Sequence, residues 1–264
     1  MSVLKKALSA VVLLVGFAFI YLPVIVLAVF SFHDGRAAVP PFEGPTLRWY
    51  AEVLSDPKVG QAALNSIILG LGSSALATVL AFLAAYGLGR YRVAGGEVLK
   101  GAILLPMNIS YLVIGIGLLI LFRNAQLPLG LGAAGLAHVI MTLPLCFAIC
   151  LTAITPKQVR LEMASRDLGA SQFMVLRRVT IGLAWPAIIA AFFLAFTLSW
   201  DEFIMTYLLT RFDVTIPITI WSMLRTGLNP ATNALGVLVF GFSLILFVMF
   251  EIIYFRKSAR RTGP

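Results

Sequence analysis

The chain has 264 residues, of which 60% are hydrophobic and only 12% charged, and its mean hydropathy is +0.98. A soluble domain is about a quarter charged, so this composition excludes a soluble globular enzyme and describes a protein that crosses a bilayer several times. The net charge of +9 does not point to nucleic acid, because the basic residues sit at the ends of apolar runs and form no patch interleaved with aromatics.

In chain order, Lys5 and Lys6 precede an apolar run from Ala7 to Phe32 that is broken only by Pro23. The run is too long for the h-region of a cleavable signal and lacks a small-x-small cleavage site, so it reads as a retained first span. Six runs reach the roughly 20 apolar residues that a bilayer requires, at 7–31, 62–89, 101–122, 132–154, 183–209 and 233–255. The predicted fold is an all-α polytopic membrane protein with six transmembrane helices, a single transmembrane domain over residues 1–264.

After the first span, Pro40, Pro41 and Pro45 lead into the amphipathic stretch Leu47 to Leu54. Trp49 and Tyr50 beside Arg48 and Glu52 suit the water–lipid boundary, which predicts a short helix on the outer surface or a contact with an external partner. Pro106 and Asn108 in the third span and Pro144 in the fourth interrupt helix hydrogen bonding, which a membrane tolerates where protein or a cavity satisfies the freed groups. Cys146 and Cys150, one helical turn apart in an apolar run, are expected to be buried small residues and not a metal pair.

Orientation follows from the basic residues in the connecting segments. Fourteen of the twenty Lys and Arg residues fall on one side: Lys5, Lys6, Arg90, Arg92, Lys100, five between Lys157 and Arg178, and Arg256, Lys257, Arg260 and Arg261. The six on the other side are Arg36, Arg48, Lys58, Arg123, Arg211 and Arg225. Both termini and the segment from 155 to 182 are therefore expected in the cytoplasm. Two pattern matches carry no function: the G-x-G-x-x-G run from Gly130 to Gly135 lacks a βαβ setting, and Asn108-Ile109-Ser110 falls inside a span. No G-x-x-x-x-G-K-[ST] occurs, so ATP chemistry by that route would have to come from another subunit.

The sharpest chemical feature is Trp200-Asp201-Glu202 in the fifth span. Carboxylates at such depth cost a few kcal/mol each if ionised and lipid-facing, so they are expected to face a cavity or the bundle interior. On a continuous helix Thr197 and Asp201 share one stripe while Ser199, Glu202 and Thr206 share the next. No Lys, Arg or His lies in this span, which leaves a transported cation, a proton or a partner subunit as counter-charge. Hydration at the outer interface, with Arg211 close by, is the alternative. Glu251 in the last span reads as an end-cap paired with Arg256 and Lys257.

The basic stretch from Thr155 to Pro186 begins with T-P-x-Q, a helix start with a hydroxyl cap, Pro at the first helical position and Gln158 at the third. Gly169 then punctuates the pattern and Ser171 can cap a second helix, which predicts a helix, a glycine turn and a helix. Met163-Ala164-Ser165, then Arg166-Asp167-Leu168 and Gly169-Ala170, with Val179, Ile181 and Gly182 beyond, resemble the coupling loop of ABC-importer permeases. That family's pattern is E-A-A, three residues, G, nine residues, then I-x-L-P. The departures are Met163 for Glu, with Glu162 one position upstream, Ser165 for the second Ala, and Gly182 for Pro. The resemblance implies that this loop docks on a separate ATP-hydrolysing subunit through Glu162 to Asp167, Gly169 and Ala170.

The segment FTLSWDEFIMTYLLT and the following VTIPITIWSMLRTGLNPATNALG are similar to the fifth span and external loop of permeases in the spermidine/putrescine importer group. With the coupling stretch and the Arg48-Trp49-Tyr50 run, the likeness covers about residues 15 to 255. It implies a type I importer fold, a second permease subunit as partner, two ATPase subunits, an external solute-binding protein, and a bacterial-type inner membrane. It also implies that ATP and Mg are held by the ATPase and no cofactor by this chain, and that Thr197, Trp200, Asp201 and Glu202 lie along the solute pathway. The solute it implies is a polyamine or another small amino-bearing compound. Two rivals from the residues themselves are an ion-driven secondary transporter, which usually shows an inverted repeat of broken helices, and a membrane enzyme, for which adjacent carboxylates about 100° apart on a helix converge poorly.

Overall fold

A computed structural model of the chain describes residues 3–91, 93–227 and 229–259, with side chains from 8 to 252 apart from 92 and 228. Arg92, Arg260 and Arg261 lie outside the described residues. So do the side chains of Lys5, Lys6, Arg256 and Lys257, and with them the pairing expected for Glu251.

The described residues are helical throughout, apart from loops and one isolated bridge between His33 and Pro45. In chain order the helices are α1 (Val3–Phe30), α2 (Arg48–Ser55), α3 (Pro57–Arg90), α4 (Gly96–Leu104), α5 (Tyr111–Asn124), α6 (Leu131–Ala153), α7 (Pro156–Asp167), α8 (Gln172–Met174), α9 (Ile181–Asp201), α10 (Ile204–Leu209), α11 (Ile216–Thr226) and α12 (Pro230–Ala259). Among the described residues, five helices are long and apolar enough to cross a membrane: α1, α3, α6, the run Gln172–Asp201 and α12. A sixth span is available only if a bent pair of helices counts as one.

That pair covers the third span read at 101–122, and the interruption expected at Pro106 and Asn108 takes the form of a sharp bend. Helix α4 passes into a 3-10 turn at Leu105–Asn108, and α5 then leaves at 104° to it. Pro106 has no amide to continue the helix, the Ile109 amide closes back on the Pro106 carbonyl at 3.1 Å, and Ser110 is extended. Pro144 has no such effect, since α6 runs through it from Leu131 to Ala153.

The fifth span departs from 183–209 at both ends. Its start is continuous with the loop, because α8 passes through a π-helical turn at Val175–Thr180 into α9. Its end breaks at Glu202 and Phe203, so residues 204–209 form a separate helix, α10. The segment after it, read from sequence as an external loop, contains α11.

The described residues of Met1–Gly60 with Thr219–Ile245 form one compact unit, and those of Gln61–Ile218 with Leu246–Pro264 another. In the first, the Asp34 amide donates to the Glu43 carbonyl and the Thr46 amide to Phe32, each at 2.8 Å. Helix α2 is the predicted surface helix, but its aromatic residues are tied inward. Buried Trp49 donates from Nε1 to the His33 carbonyl at 2.7 Å, and the Tyr50 hydroxyl lies 2.6 Å from Ser31 Oγ. The Trp49 indole is thus fixed by a partner inside the protein.

In the second unit, α3, α6 and α9 approach closely through small residues, with Ala77, Ala81 and Ala85 against Cys146, Cys150, Ala184 and Ala191. Small side chains let membrane helices gain dispersion contacts that lipid cannot supply. The two cysteines are buried in that packing, as expected. Helix α10 seats Met205 and Leu209 against Phe122 of α5 and Ala133, Ala134 and Ala137 of α6. Gly115 permits this: a Cβ there would meet Leu208 at 3.0 Å and Met205 at 3.2 Å.

Candidate functional site

Two sets of functional residues were expected, and both lie in the second unit, at opposite ends of the Gln172–Asp201 helix. At the loop end, the T-P-x-Q start forms as predicted. Thr155 is extended and its hydroxyl accepts from the Gln158 amide at 3.3 Å, with Pro156 opening α7. Ser171 caps the next helix by accepting from the Met174 amide at 3.3 Å. Between them Gly169 has φ +85°, with nothing within 4 Å of where a Cβ would stand. Its need for glycine is therefore conformational and not steric within the chain.

The expected coupling residues separate into two groups. Met163, Ala164, Arg166, Asp167 and Gly169 are exposed, while Ser165 and Ala170 are half-buried. Ser165, Gly169 and Ala170 line an open groove of about 330 Å³ together with Leu168, Met174 and Arg178. Glu162 does not join them, being 0% exposed. Its Oε2 accepts from Arg90 Nε at 2.8 Å, and its Oε1 from Thr180 Oγ1 at 2.7 Å and Gln158 Nε2 at 3.2 Å. A docking surface cannot use a carboxylate so enclosed, so its place is inside the loop's base. Sequence reasoning missed Arg90, which had been counted only toward topology.

At the other end, the structure sends the adjacent carboxylates to different surroundings. Asp201 ends α9 and is exposed, and its carboxylate has no hydrogen bond or ion pair among the described residues. Glu202 is buried, and its oxygens accept the amides of Met205 at 2.8 Å and Thr206 at 3.0 Å. The carboxylate thus caps α10, satisfying amides that the break would leave open. Thr206 Oγ1 lies 3.1 Å from Glu202 Oε2. Glu202 also has a hydrogen-bonding partner that the fifth span alone did not offer, because His138 of α6 brings Nε2 to 3.3 Å from its Oε2.

His138 is itself fully buried, with Nδ1 2.6 Å from Ser199 Oγ and Nε2 2.8 Å from Thr206 Oγ1. Ser73 Oγ of α3, 3.0 Å from Ser199, extends the chain of contacts to a further helix. Glu202 as a carboxylate only accepts, so Nε2 is the donor of that contact. The sequence signal available was a lone His in an apolar span, where a buried ionisable group needs a partner.

Trp200 is 5% exposed and stacks on Phe196 with ring centroids 6.0 Å apart, so it packs in the unit and does not share the open side of Asp201. Thr197 is exposed, returns its hydroxyl to the Phe193 carbonyl at 3.0 Å, and lines a mostly apolar groove of about 200 Å³ with Phe193, Leu246 and Phe250. Of the four expected pathway residues, then, Thr197 and Asp201 are open to contact while Trp200 and Glu202 are enclosed.

The family model for the binding-protein-dependent transport system inner membrane component matches residues 77–259. Over 249 residues the chain is 32% identical to the spermidine/putrescine transport system permease protein PotC of Escherichia coli (strain K12), covering 94% of each chain. It is 30% identical to the putrescine transport system permease protein PotI of that organism, covering 91% of this chain and 88% of that one. Among solved structures, a chain of a bacterial alginate ABC transporter in complex with alginate pentasaccharide-bound periplasmic protein superposes with a TM-score of 0.74 at 16% identity, over 96% of this chain and 94% of that one. A chain of the inward-facing MetNI methionine ABC transporter superposes with a TM-score of 0.58 at 15% identity, over 75% and 97%. These likenesses place the fold among ABC-importer membrane subunits. With helices that can cross a bilayer and a family match over most of its length, the chain belongs to the binding-protein-dependent transport system inner membrane components: it is a permease subunit and not an enzyme.

Proposed function

We propose that the chain forms half of an alternating-access pathway for a small cationic organic solute, a polyamine of the spermidine/putrescine class. The observation that carries the cationic solute is Asp201, an exposed carboxylate without a partner among the described residues at the end of an apolar helix. A protonated amine supplies such a partner through charge-assisted hydrogen bonds worth about 1.5–3 kcal/mol each. The relatives whose names carry spermidine and putrescine support the same class. The assembly comprises a homologous second permease, two ATPase subunits that hold ATP and Mg, and an external solute-binding protein. The likeness to an importer crystallised with its periplasmic protein supports that last partner.

The excess of basic residues on one side puts both termini and the 155–182 loop in the cytoplasm. ATP-driven closure of the ATPases draws the two coupling loops together, tilts the spans and opens the pathway outward to receive solute. The test is ATP-driven uptake of spermidine and putrescine by the reconstituted complex, with Asp201→Asn beside the parent. Asp201→Asn is expected to reduce uptake strongly while assembly and basal ATP hydrolysis persist. Uptake at the parent rate and concentration dependence would remove the cationic reading.

A further inference from the structure

An apolar membrane helix left to itself continues, because an unbroken helix satisfies every backbone group without water. At Glu202 it stops: φ −73° and ψ 123° are extended, and α10 starts afresh at Ile204. The Glu202 cap lowers the cost of the break on the α10 side. It does not explain why the break stays at this residue, and the buried group that touches both sides of it does. His138 reaches Ser199 in α9, Glu202 at the break and Thr206 in α10. It does so from α6, a helix continuous from Leu131 to Ala153.

We infer that His138 is a positioning residue for transport, holding the helix open after Asp201 by bridging Ser199, Glu202 and Thr206. The consequence for the solute lies in what the break leaves behind. The last four carbonyls of an α-helix lack intrahelical partners, and the end carries partial negative charge. With Asp201 as its last residue, α9 places a carboxylate at its partially negative end. That suits a cation with several N–H donors. The inference rests on the reading of Asp201 as the cation contact and supplies the device that keeps the contact at a helix end.

The test is a double-mutant cycle on ATP-driven spermidine uptake by the complete reconstituted complex, using His138→Leu, Asp201→Asn and the pair. A group that acts only by placing Asp201 has nothing left to place once that charge is gone, so the two losses should not multiply. His138→Leu alone is expected to slow uptake at least about tenfold, with the amount of assembled complex unchanged. The double variant should be no slower than the slower single one, and His138→Gln, which keeps polar atoms in reach, should recover most of the rate. If His138→Leu does not assemble, the cycle is read with His138→Asn, which is too short to touch both Ser199 and Thr206. Parent-rate uptake by the His138 variant, or losses that multiply, overturns the positioning role and leaves the cationic reading intact. Parent-rate uptake by Asp201→Asn alone removes both.

Discussion

Arg90 Nε lies 2.8 Å from Glu162 Oε2, joining the last residue of α3 to the first helix of the loop, and the carboxylate's other oxygen takes the Thr180 hydroxyl of the π-helical turn. The side chains are 12% and 0% exposed, so water screens little of the pair. Removing one member strands the other, at a cost of about 3–5 kcal/mol, whereas replacing both by apolar residues of like volume is often neutral. Arg90→Met is therefore expected to lower the thermal unfolding midpoint of the detergent-purified complex and to weaken its hold on the ATPase. Arg90→Met with Glu162→Met should recover most of the midpoint. A double variant less stable than Arg90→Met would show that the ion pair itself, and not the stranded charge, matters.

Gly169 needs its φ of +85° and has open space around it, so substitutions there should sort by conformational strain. A β-branched residue is disfavoured in that region by about 1–2 kcal/mol or more, whereas Asn visits it readily. Gly169→Val should leave the permease in the membrane but lower the solute moved per ATP hydrolysed, while Gly169→Asn stays close to the parent. Equal coupling ratios for Val and Asn would mean that the turn's conformation is not what the loop requires.

The charge distribution predicts topology. In a background with Cys146 and Cys150 replaced by Ala, cysteines at the exposed positions Ala164 and Leu47 should react with a membrane-impermeant thiol reagent from opposite sides. Reaction of both in intact cells contradicts the six-span arrangement with a cytoplasmic loop.

Trp200 and Asp201 are neighbours with different expected phenotypes. The indole is buried on Phe196, so Trp200→Leu should cost stability by the few kcal/mol typical of a shrunken aromatic in a core. The preference of uptake for spermidine over a neutral solute should be unchanged. A variant of parent stability with altered preference would place the ring in the pathway after all.

Much of the fold was legible because the bilayer imposes a long apolar run on each span, and such runs mark α1, α3, α6 and α12 to within a few residues. The loop was legible for a different reason: Thr155, Pro156, Gly169 and Ser171 act on their own immediate backbone, so their geometry is local. The bend between α4 and α5 was half legible, since Pro106 announces a break but not the direction of the chain beyond it. What sequence could not supply were contacts between distant segments. Glu202 looked like a companion of Asp201 because the two are adjacent and both acidic. Its surroundings are set by His138 from another helix, which also ended the helix that the stripe argument had assumed continuous. Glu162 was grouped with the docking residues by the resemblance of the loop, and its contact with Arg90 of α3 is likewise one between distant segments.

The run from Gln172 to Asp201 is one helix of 30 residues, about 45 Å at 1.5 Å per residue. It begins one residue beyond the Ser171 cap of the loop and ends on the carboxylate assigned to the solute. A shift imposed at one end is carried along the helix, whose points of bending are the π-helical turn, pinned by Thr180 to Glu162, and Pro186 inside α9. On the proposed roles of its two ends, timing between nucleotide turnover and solute release then needs no relay of side chains: both would sit on one lever, which stops at the break after Asp201.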